Sequence, residues 1–154
     1  MVARPGVDGR AAQPTRAARA GGCAVARLEL LLSLLMTRDP KEIIDEYWAA
    51  LSREQNYSSS IGYYTDKSVL HDPIYGTFEG YDAIKGFLDQ VTAEMGKLNV
   101  SFEVVETAGA GTVGWSQWII KLPTGDTKDG VSVYRFEDDK IVYQRDYIGT
   151  KELM

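Results

Sequence analysis

Apolar residues recur at helical spacing through the middle of the chain and at strand spacing towards its end. Residues 39–42 (DPKE) have the composition of a helix start, with an aspartate cap, a proline in the first turn and a glutamate placed to close a capping box. The positions that follow predict a helix from about Pro40 to Arg53, with a buried face made of Ile43, Ile44, Tyr47, Trp48 and Leu51.

Two more helices are predicted by the same spacing. Tyr57, Ile61 and Tyr64 predict a short, serine-rich second helix that ends near Asp66. A third helix is predicted to start at residues 81–82 and to stop at Gly96. Its single apolar stripe consists of Ile84, Phe87, Leu88, Val91 and Met95.

Residues 68–80 (SVLHDPIYGTFEG), between the second and third helices, form the first candidate site. A short apolar strand runs into His71, and Asp72 follows before a turn rich in glycine. A carboxylate at the end of a buried strand is held rigidly and stays reachable, which is typical of a functional residue. Alternatively, Asp72 precedes Pro73 and caps a turn. His71 is expected to point away from Asp72 and to be packed or solvated.

From Leu98 onward the apolar period changes to two. Four β runs are predicted over residues 99–107, 112–122, 130–136 and 141–148, joined by turn sequences such as AGAG and PTGD. Such connections predict a meander of antiparallel strands. Because the helices precede the sheet, we predict an α+β fold with the N-terminal helices packed on one face of a strongly curved antiparallel sheet.

Both faces of this sheet are expected to be covered. In the run 112–122, Trp115 and Gln117 alternate with Ser116 and Trp118, so each face carries a tryptophan. One face would meet the helices, and the other a second subunit or the N-terminal segment. We therefore predict a homodimer formed through the sheet.

Asp146 is the second candidate carboxylate, in the last β run. Aspartate is disfavoured within strands, so its position there indicates a functional role. An ion pair with Arg145 on the surface is the alternative, but adjacent strand residues point to opposite faces, which favours a cavity for Asp146.

Residues 1–27 are rich in Ala, Arg, Gly and Pro, and we predict that they are disordered. Residues 28–35 (LELLLSLL) are apolar but far shorter than the roughly 20 residues of a membrane span. Residues 1–37 are most simply an extension ahead of a natural start at Met36; an Arg-rich organelle presequence and a poor secretory signal are the alternatives. We expect one domain over residues 38–154, in the cytoplasm and not in a membrane.

Charge and composition exclude several classes of function. The net charge of the chain is −5, and residues 1–35 carry +3, so the remainder carries −8 and repels nucleic acid. Cys23 and His71 are the only residues of their types, which argues against a disulfide framework, metal sites and histidine triads. We expect no metal and no cofactor, and chemistry based on carboxylates, tyrosines and amides.

The order of elements, with TDKSVLHDPIYGTFEGYDAI at residues 65–84 and DDKIVYQRDYIG at residues 138–149, resembles the nuclear transport factor 2-like superfamily. Within it, the chain is similar to SnoaL-like polyketide cyclases, limonene epoxide hydrolase and ketosteroid isomerase. The resemblance spans about Asp39 to Leu153. It implies the cone-shaped α+β fold and a pocket for a small hydrophobic molecule.

The resemblance implies roles for individual residues. EYWAAL resembles the ketosteroid isomerase segment with an oxyanion-binding tyrosine, here Tyr47, and LHDP the segment with its general base, here Asp72. The third member of that site falls at Ser132, which has no carboxyl group. YQRDYIG resembles the segment of limonene epoxide hydrolase, and of SnoaL-like cyclases, with a catalytic aspartate, here Asp146. Neither set is complete, because other positions of the hydrolase site fall at Trp115, Gln117, Leu70 and Asp72.

We therefore expect Asp72 and Asp146 to share an apolar pocket, where one of the two pKa values would rise. Asp72 would abstract a proton next to a carbonyl group while Tyr47 or Tyr134 binds the oxyanion, as in an isomerase or cyclase. Asp146 activating a water would instead make a hydrolase, and a non-catalytic ligand-binding or dimerisation module is the other alternative. The expected substrate-binding residues are Trp48, Trp115, Gln117, Ser132 and Tyr134, although Tyr47 and Trp48 also suit a core.

Overall fold

The computed structural model describes Arg27 and residues 38–149. The predictions for the rest of residues 1–37 and for residues 150–154 lie outside the described residues. Within residues 38–149, two α-helices, a 3-10 helix and six strands follow one another: α1 (Pro40–Glu54), the 3-10 helix (Tyr57–Tyr63), β1 (Tyr64–Asp72), β2 (Gly76–Glu79), α2 (Tyr81–Leu98), β3 (Ser101–Ala110), β4 (Val113–Lys121), β5 (Thr127–Glu137) and β6 (Lys140–Ile148).

Helix α1 confirms the prediction made from its start signal and its apolar face. Asp39 is the N-cap, and its side chain accepts a hydrogen bond from the Lys41 amide. The proline follows in the first turn, where its missing N–H leaves no helical bond unmade. The buried residues are Pro40, Ile43, Ile44, Tyr47, Trp48 and Leu51.

The two other predicted helices differ from expectation at their ends. The second is a 3-10 helix that stops at Tyr63, because Tyr64 already pairs with Ile141 of β6 and sheet pairing prevails over a weak helical pattern. The third passes through Gly96 and ends at Leu98. Asn99 adopts the left-handed conformation there, with φ of 51°, and its amide donates to the Met95 carbonyl, so asparagine and not glycine caps this helix.

The strands form one six-stranded sheet in the order β2-β1-β6-β5-β4-β3. The predicted meander is confirmed from β3 to β6, where each pair is antiparallel. The α+β class is confirmed as well. The sheet is mixed and not wholly antiparallel, because β1 pairs parallel with β6 after α2 and the meander have carried the chain back beside it. Register shifts in three of these pairings are the irregularities that bend a sheet.

Helix α1 lies very close to the hairpin of β3 and β4. Gly109 and Gly114 are paired across this hairpin. A Cβ on Gly109 would lie 2.6 Å from the Lys41 nitrogen, and one on Gly114 would lie 2.5 Å from Ile44 Cδ1. The sequence AGAG (residues 108–111), predicted as a turn, continues β3 as far as Ala110 through its pairing with β4, and within it Gly109 leaves room for the helix. No helix within the described residues is both long enough and apolar enough to cross a membrane.

Candidate active site

An apolar cavity of about 90 Å³ lies among the helices, the inner face of the sheet and the turn after β1. Aromatic and aliphatic side chains make up most of its lining. Besides its tyrosine and tryptophan residues, four polar side chains line it, and they are Asp72, Ser132, Gln144 and Asp146. A mainly apolar lining with a few polar groups is typical of a small-molecule site.

Asp146 projects from β6 onto the cavity wall. Gln144, two residues earlier on the same face of the strand, donates from Nε2 to Asp146 Oδ1 at 2.9 Å. The pKa of Asp146 is raised to about 6: burial is the main cause and the charge of Asp72 adds to it, while hydrogen bonds from Ser132 and Gln144 act in the opposite direction. Burial prevails because few polar groups remain to solvate the ionised carboxylate.

A chain of hydrogen bonds orients the Gln144 amide. Tyr64 donates its hydroxyl hydrogen to Gln144 Oε1 at 2.5 Å, which leaves Nε2 to face Asp146. The Tyr47 hydroxyl lies 3.4 Å from that of Tyr64. Burial raises the pKa of Tyr47 to about 12 and that of Tyr64 well above its usual value, so both phenols remain protonated. Gln144 is only 4% exposed, and its two amide atoms are both satisfied.

Ser132 lies directly opposite Asp146 in the pairing of β5 with β6. The indole nitrogen of Trp118 donates to Ser132 Oγ at 2.9 Å, so the hydroxyl hydrogen of Ser132 is left free to point towards another acceptor. Its hydrogen bond to Asp146 lowers the pKa of that carboxyl. Ser132 is therefore a hydrogen-bond partner of Asp146. It does not supply the carboxyl group that the resemblance to ketosteroid isomerase would require at this position.

Asp72 has two kinds of contact. Its Oδ1 atom accepts hydrogen bonds from the backbone amides of Ile74 at 2.7 Å and Tyr75 at 2.9 Å, as an aspartate does when it caps a turn. It also lines the cavity together with Asp146. Asp72 therefore caps the turn and also lines the cavity, so the turn and the site, considered above as alternatives, are combined in one side chain.

Three residues expected in the pocket lie elsewhere. Trp115 and Gln117 are on the opposite face of the sheet, because Ser116 and Trp118 point inward and strand residues alternate. Tyr134 is buried in the core, with its hydroxyl 2.9 Å from Ser116 Oγ, and is not among the lining residues. Tyr47 and Trp48 do line the cavity.

His71 points away from the cavity. Its Nδ1 atom lies 2.7 Å from Thr77 Oγ1, and its ring centre lies 5.4 Å from that of Tyr143. In the described part of the chain, no group of three or more histidine, cysteine and acidic side chains is placed to hold a metal ion.

Sequence reasoning missed Gln144, Tyr64 and Tyr57 as residues of the site. Gln144 shares its strand face with Asp146, so alternation alone identifies it as a neighbour of the carboxylate. Nothing local identifies Tyr64, which belongs to the site through the parallel pairing of β1 with β6.

The profile of the SnoaL-like domain family matches residues 44–144. The chain belongs to the SnoaL-like family. Its fold is that of the nuclear transport factor 2-like superfamily, and the solved structures similar to this SnoaL-like domain include NTF2-like proteins. No curated protein matches the chain in sequence.

Three solved structures illustrate the similarity. An NTF2-like protein of unknown function from Mesorhizobium loti is 18% identical, with a TM-score of 0.59, over 74% of this chain and 97% of its own. SalBIII, described as an epoxide hydrolase/cyclase-like enzyme in pyran ring formation in the polyether salinomycin, is 18% identical, with a TM-score of 0.57, over 73% and 92%. A Catenulispora acidiphila protein with a ketosteroid isomerase-like fold, in complex with trimethylamine, is 20% identical, with a TM-score of 0.56, over 71% and 86%.

Proposed function

We propose that this SnoaL-like domain is a cofactor-independent enzyme that performs isomerisation or cyclisation on a small, mostly apolar, carbonyl-bearing molecule, with Asp146 as the general acid/base. One observation carries the proposal. Asp146 is a carboxyl group on the wall of an apolar cavity, its pKa is raised to about 6, and Gln144 holds it in place. A catalytic base works best when its pKa lies near the working pH, and burial brings an aspartate to that range.

In this mechanism the ionised Asp146 removes a proton from the carbon next to the carbonyl group of the substrate. The electron pair of that bond moves to the carbonyl oxygen and forms an enolate. In an isomerisation, the protonated Asp146 returns the proton to another carbon. In a cyclisation, the enolate carbon attacks the carbon of a second carbonyl group of the same molecule, the π electrons of that C=O bond move to its oxygen, and the protonated Asp146 gives its proton to that oxygen. Asp72, whose charge raises the pKa of Asp146, is the second carboxylate of the site.

Epoxide opening is a second candidate reaction, favoured by the raised pKa of Asp146. A carboxyl group that is partly protonated near neutral pH can donate its proton to an epoxide oxygen while a water or an internal hydroxyl attacks the ring carbon and the C–O bond of the ring breaks. The attacking oxygen then gives its proton to the carboxylate that is left. SalBIII, with the same fold, is described as epoxide hydrolase/cyclase-like. A non-catalytic ligand-binding module is the alternative from another class.

A turnover screen with an enone, a cyclisable diketone and an epoxide tests the proposal. We expect Asp146→Asn to lower kcat by about 100-fold or more for the substrate class that is turned over. Asp72→Asn tests the earlier assignment of Asp72 as the base. Glu103→Gln is the control, since Glu103 pairs with Lys121 away from the cavity.

Full activity in Asp146→Asn with a large loss in Asp72→Asn would transfer the role of base to Asp72. Binding of all three compounds by the wild type without turnover would support the non-catalytic alternative.

The proposal extends to assembly and location. Two copies would associate through the outer face of the sheet, where Trp115, Tyr143 and Tyr147 lie beside one another. We propose that the dimer works in the cytoplasm on a diffusing small molecule.

A further inference from the structure

Two polar atoms of residues that line the Asp146 cavity have no hydrogen-bond partner. In the described part of the chain, Trp48 Nε1 and Tyr57 OH are the buried side-chain nitrogen and oxygen atoms of which this is true. Trp48 is only 4% exposed. Both residues line the cavity. Because folded proteins pair nearly all of their buried polar atoms, two unpaired atoms at one cavity point to a ligand that pairs them.

The other phenols beside the cavity are already engaged. The hydroxyl of Tyr64 donates to Gln144, that of Tyr47 lies 3.4 Å from Tyr64, and that of Tyr134 lies 2.9 Å from Ser116. The polar partners of these three hydroxyls are other side chains of the protein. Tyr57, whose ring packs edge-on against Phe102 at 5.0 Å, has no such partner.

The chemistry of the two groups limits what can pair them. An indole N–H donates and cannot accept. Burial raises the pKa of Tyr57 well above its usual value, so its phenol also keeps a hydrogen to donate. The partner must therefore be an acceptor, and an anionic one is disfavoured by the carboxylates of Asp72 and Asp146 on the same cavity. A neutral carbonyl oxygen, with two lone pairs and no hydrogen of its own, meets these conditions.

We propose that Trp48 and Tyr57 donate hydrogen bonds to the carbonyl oxygen of the ligand. In the proposed reaction, the same two donors stabilise the oxyanion that forms when Asp146 removes the proton. This catalytic role rests on the proposed function, whereas binding of the carbonyl oxygen does not. This assignment differs from the expectation that Tyr47 or Tyr134 binds the oxyanion, because the hydroxyls of those two residues already lie beside other side chains.

The ligand reaches the donors by widening the cavity. Both polar atoms are closed off from solvent, so bulk water does not pair them in the arrangement described. The cavity of about 90 Å³ is also smaller than the roughly 150 Å³ that holds one benzene in an engineered apolar cavity. Ile74, in the turn beside Asp72, lines the cavity and is 70% exposed, so this turn is a part of the cavity wall that lies next to solvent.

Equilibrium binding of two matched compounds to the full chain tests this role without requiring turnover. The ketone indanone and its hydrocarbon counterpart indane differ only in the carbonyl group, and calorimetry or ligand-observed NMR measures both. We expect the wild type to prefer indanone. Trp48→Phe and Tyr57→Phe should each weaken indanone binding by about 2- to 10-fold and leave indane binding unchanged. Tyr143→Phe, on the opposite face of the sheet, should change neither.

Equal binding of indanone by the wild type and both variants would overturn the inference, as would a wild type without preference for the ketone. If Trp48→Phe loses indane as well, its cavity has changed, and Tyr57→Phe, which removes a single oxygen atom, decides. This test can be separated from the test of the proposed function. If the two variants lose indanone binding selectively and the wild type turns over no compound in the screen, Trp48 and Tyr57 are supported as hydrogen-bond donors and the proposed catalysis is contradicted.

Discussion

Among single residues, Asp146 makes the fold less stable when its carboxyl group is ionised. Its pKa is raised from 3.8 to about 6, so the folded protein binds this proton more tightly than the unfolded chain does. The stability that this proton contributes is complete below about pH 4 and is lost as the pH rises through about 6. At neutral pH the ionised carboxylate therefore lowers the free energy of unfolding by up to about 3 kcal/mol.

Asp146→Asn should accordingly be more stable than the wild type at neutral pH. We expect the difference in free energy of unfolding between variant and wild type to grow by about 2 kcal/mol between about pH 4.5 and about pH 7.5, because only the wild type must ionise a buried group. Urea denaturation at both pH values measures it. Carboxyls with lowered pKa values, such as Asp45 and Glu94, are common to both proteins and cancel in the difference. A difference that does not change with pH would contradict the raised pKa.

The hydrogen bond from Gln144 lowers the pKa of the Asp146 carboxyl. Its Nε2 donates to the charged form of Asp146, so its removal in Gln144→Met should raise the pKa of Asp146 by up to about 1 unit. Carbon-detected NMR titration of the aspartate carboxyls measures this without a substrate. Tyr64→Phe should give a smaller rise, because the amide remains but loses the hydroxyl that orients it. An unchanged titration curve in Gln144→Met would show that the hydrogen bond does not favour the ionised form.

On the scale of elements, the site depends on how β4 and β5 meet. Gly130 of β5 is paired with Trp118 of β4, and the indole ring covers the space that a side chain at position 130 would fill. A Cβ there would lie 2.2 Å from Trp118 Cη2. The same indole donates to Ser132 and lines the cavity, so the glycine in one strand sets the position of a wall residue in the next.

Gly130→Ala should therefore damage the cavity and the fold together. Moving the indole removes its hydrogen bond to Ser132 and forces side chains to repack, which we expect to lower the free energy of unfolding by about 1–3 kcal/mol. Indane binding should weaken as well. Gly86→Ala is the matched control, because Gly86 lies within α2 with nothing within 4 Å of its added Cβ, and alanine there should stabilise the helix by about 0.5–1 kcal/mol. Equal stability of Gly130→Ala and the wild type would mean that Trp118 is free to move.

For the whole molecule, the outer face of the sheet carries the prediction of a homodimer. It presents Trp115, Val133, Tyr143 and the half-exposed Tyr147 in one shallow groove. Arg135 and Arg145 lie over the rings of Tyr143 and Tyr147, so the face combines aromatic surface with positive charge.

We expect light scattering to give a mass of twice 17.1 kDa for the wild type. Val133→Lys should shift the mass to that of one chain, because Val133 is paired with Arg145 in the sheet and a second positive charge there would have to be buried beside the first in an interface between two copies. Leu98→Asp is the control, since Leu98 is 61% exposed at the end of α2 and away from the sheet. A monomeric wild type at micromolar concentration would contradict the dimer and leave the outer face for another partner.

The local elements follow from the sequence by itself. Periods of 3.6 and 2 identify the buried face of each helix and strand, since they depend on residues only a few positions apart. The start of α1 at Pro40, the meander and the shared face of Gln144, Asp146 and Ile148 were predictable for this reason. The resemblance to SnoaL-like proteins rests on the same local segments.

Only the tertiary structure decided which residues share the cavity. Each row of β4 carries a tryptophan, so the local pattern could not tell that Trp118 faces inward and Trp115 outward; packing against the helices selects one. The parallel pairing of β1 with β6 places Leu70 beside Gln144, and it brings Tyr64 to Gln144 and Asp72 to the cavity of Asp146. These contacts join residues more than 70 positions apart, and no local period encodes them. Long-range packing therefore sets the chemistry of the site, while local patterning sets the strands and helices that carry it.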